Sequence, residues 1–240
     1  MADDFYKWFS ERRLTKFGGA RRLRIERGRL ALLSRYATPP GDLLEIGPGV
    51  GSLVEPLTAM GWTYRAIEAS PGLAAGIRAR GVEVVEAWVP PFPVADASCD
   101  VLYADQVLEH MSGIDAAHAF ASEALRVLRP GGVAFIVVPD YLKERAFFWD
   151  VDYTHNFVTT ERRVRLLLGD HGFTVERVVR SIGPTTGIGR DLLAACSMLA
   201  NIPGLDPLSR YTGTEDLLFR VRKNFFETLA FVARKAPAQA

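Results

Sequence analysis

The stretch Leu44-Glu-Ile-Gly-Pro-Gly-Val-Gly-Ser-Leu53 constrains this chain more than any other. An apolar run ends in three alternate glycines, Gly47, Gly49 and Gly51, with a carboxylate, Glu45, two residues before the first. Glycine at a strand-to-helix turn tolerates unusual backbone angles and lets a ligand lie against bare main chain. Dinucleotide phosphates require G-x-G-x-x-G, with the pyrophosphate on the helix N-terminus. That register fails here: its third glycine falls on Ser52 counted from Gly47, and on Val54 counted from Gly49.

From residue 42 to 139, short β-branched runs alternate with helical stretches. The strand expectations are 43–46, 64–68, 83–86, 100–104 and 133–138. Several are nearly continuous apolar runs, as parallel strands covered on both faces should be. Residues 114–128 read as a helix with Ile114, Ala117, Ala121, Ala124, Leu125 and Leu128 on one face; Ser112 precedes it and Arg129-Pro-Gly-Gly132 stops it. Residues 140–158 are aromatic-rich and irregular. Thr160 can cap a helix through Leu168, with Gly172 past its end, and 173–182 and 227–235 read as strands. Residues 183–223 interrupt the alternation with a glycine-rich link and helical pieces. The expected architecture is α/β, a doubly wound, mostly parallel seven-stranded sheet with helices on both faces. The main domain spans 37–240. Two segments that the sheet does not need, an N-terminal extension (1–36) and an insertion at about 184–224, are expected to form a helical lid.

At 240 residues, the chain is long enough for one such domain with a real core. Its two cysteines, Cys99 and Cys196, have no metal or redox spacing, which fits a reducing, cytoplasmic setting. The N-terminus is acidic and aromatic without an apolar core, so no signal peptide is expected, and no apolar run is long enough to cross a bilayer. The net charge of +1 conceals an asymmetry: residues 11–35 carry nine bases and two acids, +7, which leaves −6 for the rest. A solvated helical face is the simpler reading of that segment, and a binding role the alternative.

The G-x-G-x-G spacing behind an acidic residue resembles motif I of the class I S-adenosylmethionine-dependent methyltransferases. The resemblance continues in order through Tyr64-Arg-Ala-Ile-Glu-Ala-Ser70, residues 84–111 and residues 123–139, the last two being similar to the ubiquinone-biosynthesis-like branch. It covers about residues 42–139. It implies a Rossmann-like methyltransferase fold with S-adenosyl-L-methionine as cofactor. On that resemblance Glu45 serves the methionine amino group, Gly47, Gly49 and Gly51 cradle the cofactor, and Glu68, with Ala69 beside it, takes both ribose hydroxyls. Glu86, where the family usually has Asp, and the Ala87 backbone meet the adenine; Asp105 and Gln106 line the methionine moiety. The chemistry agrees. The cofactor is a sulfonium cation without phosphate, and the strand ends offer Glu45, Glu68, Glu86 and Asp105 with no base among them. Glu109 and His110 also match the family, although they could simply hold the turn before the next helix.

The Asn/Asp-Pro-Pro-aromatic tetrad of exocyclic-amine methyltransferases is absent after the fourth strand, where Ala104-Asp-Gln-Val-Leu-Glu-His110 stands, and no aromatic–basic RNA signature replaces it. A nucleic-acid partner is therefore not expected. Residues 150–173 resemble the acceptor-side region of small-molecule methyltransferases, with Asp152, His155 and Thr159 on its pattern. That resemblance makes His155 the candidate general base and Asp152 the group that orients it. His118 and His171 are explained by a helix face and a helix end. Asp140, Asp150 and Asp152 have no defensible metal spacing, so no metal is expected. The expected activity is methyl transfer to a small-molecule acceptor, most simply a hydroxyl. The rivals are a protein or RNA methyltransferase, and a catalytically silent cofactor-binding partner subunit. A homodimer is among the assemblies open to such a chain.

Overall fold

The computed structural model describes residues 16–238. Arg12, Arg13 and the rest of the extension before Lys16 lie outside the described residues. Helix α1 (Lys16–Leu33) leads into β1 (Gly41–Ile46), α2 (Val54–Ala59), β2 (Trp62–Glu68), α3 (Pro71–Arg78) and β3 (Glu83–Glu86). Strand β4 (Cys99–Asp105) is followed by a single 3-10 turn, Leu108–His110, then α4 (Ile114–Val127) and β5 (Leu128–Pro139). The one-turn helices α5 (Tyr141–Glu144) and α6 (Phe147–Asp150) precede α7 (Glu161–Asp170) and β6 (Phe173–Ile182). The insertion opens with β7 (Thr185–Thr186) and continues through α8 (Gly187–Ser197), a 3-10 turn (Met198–Asn201), α9 (Leu205–Thr212) and α10 (Glu215–Asn224) before β8 (Glu227–Lys235).

The strands lie in the order β3-β2-β1-β4-β5-β8-β6-β7. They are parallel from β3 to β5, and β8 runs antiparallel between β5 and β6. The sheet has eight strands instead of the expected seven. The addition is β7, two threonines that turn back on the end of β6, Ser181 opposite Thr186, and are too short to leave a period-2 signal.

Successive side chains on a strand point to opposite faces, and both faces are covered. Val101, Tyr103, Val133, Phe135 and Val137 enter one core with Leu30 and Leu33 of α1. Leu102, Ala104, Ala134, Ile136 and Val138 enter the other with α4 and α7. This is why the strands read as unbroken apolar runs. Truncating fully buried Phe135 to alanine would cost about 3–5 kcal/mol.

The helix expected over 114–128 differs in detail. Ile114, in the first turn, is exposed, and Phe120 completes the buried stripe with Ala117, Ala121, Ala124 and Val127. The Arg-Pro-Gly-Gly segment is an irregularity inside β5: Leu128 pairs with Cys99 and Val133 with Val101, and Gly131 takes φ +79°. The aromatic stretch after β5 packs on itself, with the Phe148 ring 4.6 Å from that of His155. Among the described residues, no helix is long and apolar enough to cross a membrane.

Candidate cofactor and acceptor sites

The carboxyl ends of β1, β2 and β4 meet at one edge of the sheet, the crevice where open α/β sheets hold ligands. The three glycines there all lie in the left-handed region: Gly47 at φ +64°, Gly49 at +58° and Gly51 at +67°. A Cβ on Gly51 would stand 2.9 Å from Ile77, and one on Gly47 would stand 3.0 Å from Val107; at Gly49 it would enter open space. Two glycines thus serve packing as well as backbone angle, and the middle one keeps an open face. The loop is fastened at several points. Gly47 N donates to Ile67 O (2.8 Å), and the Arg80 guanidinium donates to Gly51 O (2.6 Å) and Val50 O (2.7 Å).

Glu68 pins the same loop. Its Oε2 accepts from Gly49 N and its Oε1 from Ser70 N, both at 2.9 Å. Ala69 sits between these partners, and Ala87 N donates to Glu68 O (3.2 Å). Glu86 is exposed, 3.6 Å from Arg78. Glu45 is buried and accepts from the Tyr64 hydroxyl at 2.7 Å. Burial pushes its pKa up to about 8, with the Tyr64 hydrogen bond pulling the other way. Asp105 accepts from Arg29 and from the Tyr103 hydroxyl; burial raises its pKa and Arg29 opposes that rise. Gln106 adopts φ +59° and donates its backbone N–H to Val137 O (2.9 Å).

Glu45, Gly47 and Asp105 line one cleft of about 530 Å³, with Pro48 and Ser52. Glu68, Ala69, Glu86 and Ala87 sit along the paired ends of β2 and β3 and do not line it. Helix α1 forms the facing wall through Arg22, Ile25 and Arg29. The solvated-face reading of the basic segment therefore fails at Arg29, whose guanidinium is largely buried against Asp105. Arg21, Ile25 and Arg29 recur every four residues, and that spacing was the available signal for one inward face. Arg21 also donates to Asn224 O (3.0 Å), which ties α1 to the last residue of α10.

A second cavity of about 370 Å³ shares Arg21, Ile25 and Arg29 with the first, so the two adjoin. Its lining includes Gln106, His110, Asp152 and His155. His155 is buried, and its Nδ1 lies 2.6 Å from Phe148 O. A carbonyl can only accept, so Nδ1 carries the proton and Nε2 the lone pair. Burial lowers the His155 pKa, against the Phe148 carbonyl and the charge of Asp152. Asp152 does not touch the His155 ring. Its Oδ1 accepts from Thr154 N (2.9 Å) and Thr154 Oγ1 (2.7 Å), and Thr154 Oγ1 in turn takes the Nδ1 proton of His110 (2.8 Å). Burial, reinforced by His155, brings the His110 pKa down to about 4. Thr159, also on the acceptor-side pattern, is buried and donates to Pro139 O (2.7 Å).

Glu109 is fully buried, neither of its carboxylate oxygens has a hydrogen-bond partner, and burial lifts its pKa far above the usual range. Ligand atoms of Glu109, His110 and His155 all lie within 4.8 Å of one another. Asp140, Asp150 and Asp152 form no such group among the described residues; Asp140 caps α5 through Leu142 N (3.1 Å) and pairs with Arg180. His118 and His171 bond to each other at 3.0 Å.

A parallel sheet with one antiparallel strand between β5 and β6, opening at its carboxyl edge onto a glycine loop, is the Rossmann-like methyltransferase fold. Residues 44–136 match the family described as "Methyltransferase domain". A Mycolicibacterium smegmatis protein named "Probable S-adenosylmethionine-dependent methyltransferase" is 35% identical over 101 residues, 41% of this chain and 38% of that protein. The malonyl-[acyl-carrier protein] O-methyltransferase of Hahella chejuensis is 35% identical over 109 residues, 43% of this chain and 38% of that one. The matches thus span only 38% of the length of each relative. Among solved structures, the Burkholderia thailandensis 1,6-didemethyltoxoflavin-N1-methyltransferase, with 1,6-didemethyltoxoflavin and S-adenosylhomocysteine bound, shares the fold. The TM-score is 0.59 at 17% identity, over 90% of this chain and 79% of that one.

Proposed function

We propose that this chain is an S-adenosylmethionine-dependent methyltransferase whose acceptor is a small molecule, methylated on a hydroxyl. The observation that carries the reading is the pair of adjoining cavities that share the wall of Arg21, Ile25 and Arg29. One has a glycine loop and carboxylates suited to a sulfonium cation. The other has an imidazole with its lone pair on Nε2. The sequence match over residues 44–136 and the names of the relatives support the cofactor assignment. The run 84–111 favours the ubiquinone-biosynthesis-like branch.

In this reading Glu45 receives the methionine ammonium, Glu68 the ribose hydroxyls, Glu86 and the Ala87 backbone the adenine, and Asp105 and Gln106 the methionine chain. Methyl transfer is an in-line displacement, accelerated mainly by alignment and exclusion of water. His155 accepts the hydroxyl proton through Nε2, held by the Phe148 carbonyl. Helix α1, in the extension before residue 37, and the insertion near 184–224 form the lid over the main domain, joined through Arg21 and Asn224. Arg21 and Lys223 beside the acceptor cavity favour a substrate bearing carboxylate or phosphate. The free thiols Cys99 and Cys196 fit a cytoplasmic setting.

The test is transfer of labelled methyl from S-adenosylmethionine to a panel of hydroxylated carboxylates and phosphate esters, alongside tRNA and protein fractions. Label should enter a small molecule, and His155→Gln should lower kcat by about 10²–10⁴. Label entering only RNA or protein contradicts the acceptor class.

A further inference from the structure

The residues beside the acceptor cavity hold a group that proton abstraction by His155 does not use. Glu109 and His110 stand on the 3-10 turn after β4, and His155 follows β5. The chain locks these distant segments together: Asn156 N and Phe157 N both donate to the Glu109 carbonyl at 2.9 Å. One ligand atom from each of the three side chains lies within 4.8 Å of the others. The Glu109 carboxyl group is fully buried with both oxygens unpartnered, so a cation that displaces its proton would give those oxygens the partner they lack. Each imidazole has an outer hydrogen bond that fixes its tautomer. His155 Nδ1 donates to Phe148 O, and His110 Nδ1 donates to Thr154 Oγ1, whose own proton goes to Asp152. Outer carbonyl and carboxylate partners of this kind orient metal-ligating histidines.

We propose that Glu109, His110 and His155 bind one divalent transition-metal ion at the edge of the acceptor cavity. Two imidazoles and one carboxylate suit Zn²⁺ and its first-row neighbours better than Mg²⁺ or Ca²⁺, which prefer all-oxygen shells. Three protein ligands leave coordination positions for acceptor oxygens on the cavity side. The catalytic consequence rests on the methyltransferase reading. An acceptor hydroxyl bound to the ion loses its proton to solvent. Its oxygen pair then forms the bond to the methyl carbon as the carbon–sulfur bond breaks, the electron pair remaining on sulfur to give the neutral thioether. With the ion bound, the His155 lone pair is committed to it, and the ion takes over from the imidazole in ionising the acceptor.

The experiment uses the full chain, stripped with a chelator. Zn²⁺ is titrated by calorimetry and Co²⁺ by visible absorption, and S-adenosylhomocysteine is titrated into the same samples. One saturable equivalent of Zn²⁺ and a Co²⁺ spectrum with nitrogen ligation are expected. Glu109→Gln and His155→Ala should each weaken Zn²⁺ at least about 100-fold, and Thr154→Val, which removes only an outer partner, about 10- to 100-fold. Absence of saturable binding to the unmodified protein, or equal affinity in folded Glu109→Gln and His155→Ala, overturns the site. Co²⁺ absorption of the unmodified protein decides the matter if the variants do not fold. A protein that binds S-adenosylhomocysteine but not Zn²⁺ overturns the metal site alone. One that binds Zn²⁺ but not S-adenosylhomocysteine overturns the cofactor reading and leaves the metal site standing.

Discussion

Arg29, on the helix that precedes the sheet, donates a hydrogen bond to Asp105 at the carboxyl end of β4. The pair joins α1 to the cleft lined by Glu45 and Gly47 and neutralises one of that cleft's carboxylates. Leu30 and Leu33 on the same helix are buried in the core, so α1 is anchored at its end and latched along its length. Arg29→Met should leave Asp105 without its ion-pair partner, with only the Tyr103 hydroxyl beside it in a buried position, and cost about 3 kcal/mol of stability. Denaturant unfolding measures that loss. Hydrogen exchange should quicken across residues 18–29 more than across β1. Unchanged exchange would mean that the pair does not hold the helix.

The glycines separate packing from ligand access. Gly51→Ala meets Ile77 and also pays for its positive φ, whereas Gly49→Ala meets only the backbone penalty of about 1–2 kcal/mol. Gly51→Ala should therefore be the less stable variant by thermal unfolding. The order should reverse for cofactor affinity, because only the Gly49 methyl enters the open face of the loop. Equal losses of affinity in both variants would remove the loop from the cofactor site.

With Glu45 as the seat of the methionine ammonium, cofactor binding should depend on pH. Its folded pKa, about 8, lies above its ordinary carboxylate value, so the folded protein holds a proton that the unfolded chain has already released. This group therefore lowers stability progressively as pH rises from the ordinary carboxylate range to about 8, and Glu45→Gln should flatten that slope. A cationic ammonium docking on Glu45 expels the proton. Calorimetry at pH 7 in buffers of different ionisation enthalpy should show proton release on cofactor binding, and Glu45→Gln should abolish it. Proton uptake, or no exchange, contradicts the assignment.

The parallel half of the fold was legible because its strands are buried on both faces. Runs such as Val133 to Val138 can be nothing but core. Strand β7 was not legible, since two threonines carry no period. The glycine register could be read as a ligand loop, but not the separate packing duties of Gly47 and Gly51, which depend on Val107 and Ile77 arriving from other elements. At the acceptor side, the spacing of Asp152 and His155 suggested a direct pair. The turn instead directs Asp152 to Thr154, and His155 takes its partner from Phe148, seven residues back. Glu109 and His155 are 46 positions apart, so only the folded chain brings them together. The basic segment looked like a solvated face because charge counts do not show which arginine meets a buried carboxylate.

Direct titration tests whether the glycine loop and its carboxylates hold a sulfonium nucleoside. S-adenosylmethionine and S-adenosylhomocysteine should each bind the unmodified protein at one site by calorimetry, and NAD should not. Glu68→Ala, which removes the acceptor of Gly49 N and Ser70 N and the carboxylate proposed for the ribose, should weaken both sulfur nucleotides about 10- to 100-fold. Saturable binding of NAD with no binding of either sulfur nucleotide would rule out the sulfonium assignment.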